Sequence, residues 1–258
     1  MFVIDPLRFP YEIQPLICDA ASFEGSNDNM RRTSSLADLT DGKTGIFSLW
    51  FRKNGGDGGQ RFLLINGDPA ASADKVNLQF DSANRLVLTL RRNSSYQIAW
   101  QCRAGSYTAG PAWHHFLAAW DLNDSAKCKI YVDGADVTDS VSGPVASYSI
   151  GYSSATWYVG SSTTATLQNY NGDLAEMYFA PNQWLDITQA SVRNLFRTPA
   201  GKPADLGSNG SVPTGSVPTI YFHLDDGEAP NNFAINRTGK GDFTVGGGLA
   251  TAATSPSD

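Results

Sequence analysis

Apolar and polar residues alternate along several short stretches of this chain. A period of two has one structural solution: an extended strand that buries one face and turns the other away from the core. Across positions 47–52, Phe47, Leu49 and Phe51 fall on one face and Ser48, Trp50 and Arg52 on the other. Leu86, Leu88 and Leu90 alternate in the same way with Val87, Thr89 and Arg91. Phe116, Ala118 and Trp120 share a side of 115–121, while Cys128, Ile130 and Val132 oppose Lys129, Tyr131 and Asp133 in 127–133. Further strands are expected at 22–24, 61–66, 76–80, 96–101, 157–160 and 173–179. Positions 122–126 have hairpin composition, and Asp133-Gly134 is a tight-turn signal. The 25 glycines and a charged fraction of only 17% suit short strands and tight turns better than a helical bundle.

One helix is predicted late in the chain. Asp186 would cap it with Gln189 three residues on, Leu185, Val192, Leu195 and Phe196 would form its apolar stripe, and Pro199 would stop it. Many strands and one short late helix point to an antiparallel sandwich. A chain of 258 residues can bury a large core without disulfide or metal staples. It opens on an extended stretch punctuated by Pro6, Pro10 and Pro15. A Pro/Gly/Ser/Thr-rich connection spans 198–218, yet 219–224 and 242–245 have strand character. The expected organisation is a sandwich over 1–197, with an extension over 198–258 whose short strands pack on it.

A net charge of −6 and a pI near 5.0 argue against a nucleic-acid partner. Arg31-Arg32 and Arg91-Arg92 are adjacent strand residues, so each pair points to opposite faces. Cys18, Cys102 and Cys128 cannot all pair, and reduced, partly buried thiols suit a reducing cytoplasm. The first residues lack the pattern of a signal peptide, and no apolar run approaches ~20 residues, so membrane insertion is not expected.

Five stretches, in this order, resemble the laminin-G-like branch of the concanavalin-A-like lectin/glucanase superfamily. They are Phe23-Glu-Gly-Ser-Asn-Asp28, Phe47-Ser-Leu-Trp-Phe51, Trp113-His-His-Phe116, Lys129-Ile-Tyr-Val-Asp-Gly134 and Tyr170-Asn-Gly-Asp-Leu-Ala-Glu176. The resemblance implies an all-β, antiparallel two-sheet jelly-roll sandwich with one short late helix. Residues 205–258 resemble C-terminal extensions of such domains encoded by tailed phages and prophages. Together these imply a non-enzymatic virion protein, folded in the host cytoplasm: a tail or head fibre, a decoration or a receptor-binding module. Its partners would be other virion proteins, further copies of itself and host-surface glycans. A stand-alone lectin is the alternative, and a divergent polysaccharide-degrading enzyme stands third.

The superfamily includes glycosidases, and a retaining mechanism needs two carboxylates ~5–5.5 Å apart. No E-x-D-x-E run supplies them here, and Asp173 and Glu176 stand three apart, an offset that would send them to opposite faces of a regular strand. No catalytic residue is therefore assigned. His114 and His115 likewise face opposite ways, with His223 far off in sequence. Asn27, Asp28 and Asp173 fall where the resembling domains can hold calcium at the sandwich rim. The same side chains also make turns by bonding the backbone, which is the stronger reading, and no cofactor is required. Tyr107, Tyr152, Trp157, Tyr158 and Tyr170 flank loops rich in small polar residues and are the candidate sugar-stacking rings. Core packing is the default for Trp157, while Tyr107 and Tyr170 are expected at the surface.

Overall fold

A computed structural model of the chain describes residues 16–67, 75–92, 98–162 and 168–258. Pro6, Pro10 and Pro15, and positions 96–97 of the strand expected at 96–101, lie outside the described residues. Among the described residues, two eight-stranded sheets pack face to face, and all their pairings are antiparallel. Sheet one runs β10 (Ala135–Asp136), β9 (Lys129–Val132), β8 (His114–Asp121), β3 (Thr44–Lys53), β13 (Asn171–Pro181), β1 (Ala21–Glu24) and β16 (Ala250–Thr251). Its eighth strand, β14 (Ile220–Phe222), follows β1 along the same flank of β13. Sheet two runs β11 (Asp139–Ser142), β7 (Ile98–Ala104), β6 (Leu86–Arg91), β5 (Lys75–Phe80), β4 (Arg61–Asn66), β12 (Trp157–Val159), β2 (Asn29–Arg32) and β15 (Thr244–Gly246).

The inward rows follow the alternation. Phe47, Leu49 and Phe51 of β3 share one buried cluster with Leu86, Leu88 and Leu90 of β6 and with Phe116, Ala118 and Trp120 of β8. Phe179 on β13 sits at its centre, its ring 5.8 Å from those of Phe47, Tyr152 and Trp157 and 6.5 Å from Trp120. The polar atoms drawn inside are bonded: Trp120 Nε1 donates to Tyr152 Oη at 2.8 Å, and that hydroxyl donates to the Thr44 carbonyl at 2.8 Å. At the β9–β10 hairpin, Asp133 and Gly134 have φ of 52° and 84° between the paired residues Val132 and Ala135. This is the two-residue turn that the dipeptide signals.

Sheet one is covered on its outer face too. Leu117, Tyr131, Tyr178, Phe196, Leu206 and Tyr221 form a second buried cluster there, and Ala20, Trp50 and Ala175 a third. The expected helix shrinks to α1 (Ala190–Arg193), with Gln189 at its N-cap and no side-chain capping bond. Asp186 instead accepts the Thr188 N–H at 3.1 Å, closing a turn. Leu185, Val192, Leu195 and Phe196 still pack on the sheet, so burial rather than helix propagation holds this segment. Residues 198–258 supply β14, β15 and β16, which pair within both sheets. Cys18, Cys102 and Cys128 are free and buried, and burial pushes the Cys102 and Cys128 thiols up to about 11.

Phe179→Ala should remove the ring at the centre of this cluster and cost ~3–5 kcal/mol. Urea denaturation followed by tryptophan fluorescence measures it; a loss below 1 kcal/mol, roughly a surface value, would contradict the assigned centre.

Candidate functional site

The acidic residues of β13 are not placed as a regular strand would place them. Ala175 pairs with Trp50 and Tyr178 with Ser48, so two residues on β13 oppose one on β3. Glu176 occupies this bulge with φ of 49°. The extra residue resets the alternation: Asp173 bonds Arg52 and Glu176 bonds Tyr221, both on the outer side of sheet one. The expectation of opposite faces is thus corrected, because a bulge cancels the odd offset.

Each carboxylate is nevertheless already engaged. Asp173 Oδ2 accepts from Arg52 Nε at 2.6 Å and Asn54 Nδ2 at 3.0 Å. Glu176 accepts from Tyr221 Oη at 2.8 Å and pairs with His223 Nδ1, whose Nε2 lies 3.0 Å from Asp225 Oδ1. Burial opposes charge on His223, but the bond and charge of Glu176, then those of Asp225, hold its imidazole up to about 9.

The three residues considered for calcium stand in loop and ion-pair contacts. Asp28 Oδ2 accepts the Glu24 N–H at 3.0 Å and Oδ1 the Gly248 N–H at 2.9 Å, which ties a loop of the sandwich to the C-terminal segment. Asn27 is exposed, and its carbonyl accepts from Asn29 Nδ2 at 2.8 Å. Asp173 is held by Arg52. Among the described residues no group of three or more His, Cys, Asp or Glu could hold a metal ion.

Of the candidate rings, Tyr152, Trp157 and Tyr170 are fully buried and offer no face to a ligand. For Tyr170 this corrects the expected surface position: its hydroxyl donates to the Arg52 carbonyl at 2.7 Å, while its ring packs on Phe80. Tyr107 is half-buried, edge-on to Phe51 and His114. Tyr158 is half-buried and turned outward, because its neighbours Trp157 and Val159 both point into the core.

Tyr158 belongs to a feature that needs strand register to be seen. Across the outer face of sheet two, one transverse row runs Arg31, Tyr158, Ile65, Asn77, Thr89 and Gln101. Phe62, Gln79, Val87 and Arg103 form a parallel row. Asn77 Nδ2 donates to Gln79 Oε1 at 2.9 Å, Asn77 Oδ1 has no donor among the described residues, and Phe62, Ile65, Asn77, Gln79, Val87 and Thr89 are all buried. Tyr158 and Gln101 stand four strand spacings apart, ~19 Å. No single segment announces these rows; only pairing brings their members together.

A separate pocket of about 260 Å³ opens on sheet one, where α1 meets β8 and β9. His115, Leu117, Tyr131 and Asp133 line one wall, and Arg193, Asn194 and Arg197 the other. His115 Nε2 lies 2.9 Å from Ser48 Oγ. Burial, aided by the Arg197 charge and opposed by Asp133, pushes its imidazole down to about 3, so it is neutral.

Residues 24–182 match a family model described as the concanavalin A-like lectin/glucanases superfamily. None of the curated proteins matches the chain in sequence. Among solved structures, the chain is similar to a native heptameric SAP-like pentraxin from Limulus polyphemus, with TM-score 0.54 and 14% identity over 91% of this chain and 94% of that one. It is also similar to a putative carbohydrate binding protein from Bacteroides ovatus, with TM-score 0.57 and 14% identity over 94% of this chain and 60% of that one. At these identities the likeness is one of fold.

The two buried histidines predict opposite pH arms. The folded pKa of His223 lies above its unfolded value, ~6.5, so its contribution to stability is complete below that pH and fades as pH rises towards about 9. That of His115 lies below, so its contribution is complete above ~6.5 and fades as pH falls towards about 3. Urea midpoints against pH should show His223→Gln flattening the alkaline arm alone, and His115→Gln flattening part of the acid arm.

Proposed function

The chain belongs to the concanavalin A-like lectin/glucanases superfamily, and from that premise we propose that it is a non-catalytic, glycan-binding sandwich. The observation that carries this reading is the pair of accessible ends of the polar row on the outer side of sheet two. Tyr158 and Gln101 stand half-exposed towards its two ends, a ring and an amide in one register, while Asn77, Gln79 and Thr89 between them are buried. Sugars offer hydroxyls that both donate and accept, and apolar C–H faces. Amides match the first, and an aromatic ring the second.

The non-catalytic half of the reading is supported by the state of the acids. A glycosidase needs one carboxyl free to give its proton to the leaving oxygen and a second poised opposite. Asp173 is neutralised by Arg52, and Glu176 by His223. Stabilising a fold is what such pairs do. The setting we assign is a phage virion, where the chain acts in adhesion or assembly with other virion proteins and with copies of itself. The resemblance of residues 205–258 to phage-encoded extensions supports that setting.

Calorimetry against host-surface polysaccharides should give saturable binding. Tyr158→Ala should weaken it by about 1 kcal/mol, roughly fivefold, with the melting temperature unchanged. Polysaccharide shortened on incubation with the protein, and left intact by Glu176→Gln, would overturn the non-catalytic reading. Mass spectrometry of particles from a lysogen carrying the gene should detect the chain; its absence there removes the virion setting and leaves glycan binding standing.

A further inference from the structure

We propose that the pocket between α1 and strands β8 and β9 binds the carboxylate of an acidic sugar, through Arg197 and Arg193. This deepens the glycan-binding reading and rests on it, at a site separate from the outer face of sheet two.

The pocket holds more cationic charge than its own residues answer. Arg193 is fixed in place: one terminal nitrogen donates to the carbonyls of Ile187 at 2.8 Å and Thr188 at 2.9 Å, and its guanidinium lies 4.4 Å over the Tyr131 ring. Arg197 is anchored far less. Its Nε is buried and has no acceptor among the described residues. That nitrogen is closed to the pocket, so an anion there would meet the terminal end of the Arg197 guanidinium, which lines the space and whose charge also acts on Asp133.

The obvious internal anion is already committed. Asp133 Oδ2 bonds His114 Nδ1 at 2.7 Å, and its Oδ1 accepts the His115 N–H at 2.9 Å. His115, neutral and bonded to Ser48, adds no charge of either sign. Two guanidinium groups therefore face a space that holds one carboxylate with both oxygens in use. The chain as a whole carries −6, so this local excess runs against the background.

The remaining lining selects among anions. Guanidinium forks match a planar carboxylate in bidentate geometry. Leu117 and Tyr131 supply an apolar wall, and Asn194 an amide for a hydroxyl. A volume of about 260 Å³ lies below the ~300–1,000 Å³ of sites for drug-sized ligands. That suits one sugar ring rather than a longer segment. A hexuronic acid, or a terminal acidic residue of a polysaccharide, has this combination.

The test is calorimetry on the full chain with glucuronate, glucose, acetate and inorganic phosphate as separate probes. Glucuronate should bind, weaken with rising salt and lose about tenfold or more in affinity in Arg197→Gln. Arg197→Lys should fall between, because it keeps the charge and loses the fork. Should Arg197→Gln not fold, Asn194→Ala provides the second readout, with an expected loss of roughly threefold or more. Tyr158→Ala, on the other sheet, should leave glucuronate affinity unchanged. Equal binding of glucose, or of acetate or phosphate, overturns the acidic-sugar assignment, as does glucuronate binding that ignores Arg197 and Asn194. If glucuronate fails to bind while polysaccharide binding sensitive to Tyr158 persists, only this inference falls; if both fail, the glycan reading falls with it.

Discussion

Strand β13 is the constraint around which the molecule is organised. It is buried on both faces, pairs with β3 along one side, and is flanked on the other by β1 and then β14. Phe179 looks into the sandwich and Tyr178 into the outer cluster. Segments from near both ends of the described chain thus converge on one strand. A residue there must satisfy two packed layers at once, which is why alternation along β13 separates two apolar environments rather than core from water.

The bulge at Glu176 breaks that strand's regularity, and the charges of the outer face gather around it. With Asp173 and Glu176 on one side, the sheet must bury two carboxylates, and it supplies Arg52 to one and His223 to the other. Removing one partner of such a pair leaves a buried charge unanswered, commonly at a cost of ~3–5 kcal/mol. The pocket at α1 differs in kind: there, two guanidinium groups line a space with one carboxylate.

Much of the architecture was legible in the sequence because burial writes itself as a period of two. The faces assigned to β3, β6, β8 and β9 from Phe47, Leu88, Phe116 and Ile130 are the faces that pack. The short strands β2, β10, β11 and β16 carry too few residues to show a period. Asp186 marked a turn because a side chain that can cap a helix can equally close a loop. Tyr170 looked like a surface ring from its Gly and Asn neighbours, yet a ring's place depends on strand register. The same limit hid the outer row of sheet two, whose members Arg31, Tyr158, Asn77 and Gln101 lie far apart in the chain. Arg197 was invisible for another reason: a lone arginine after a short helix is informative only once Asp133 is seen to be occupied.

The closing contacts of the sandwich reach across almost the whole sequence. Strand β16 pairs with β1, and Ser257 Oγ donates to the Cys18 carbonyl at 3.1 Å. During synthesis the ribosome delivers residue 18 long before residues 250–257, so this border of sheet one stays unzipped until they emerge. Contacts this remote in sequence slow a search for the native state. Until then the free strand edge of the half-built sheet is open to pairing with another chain.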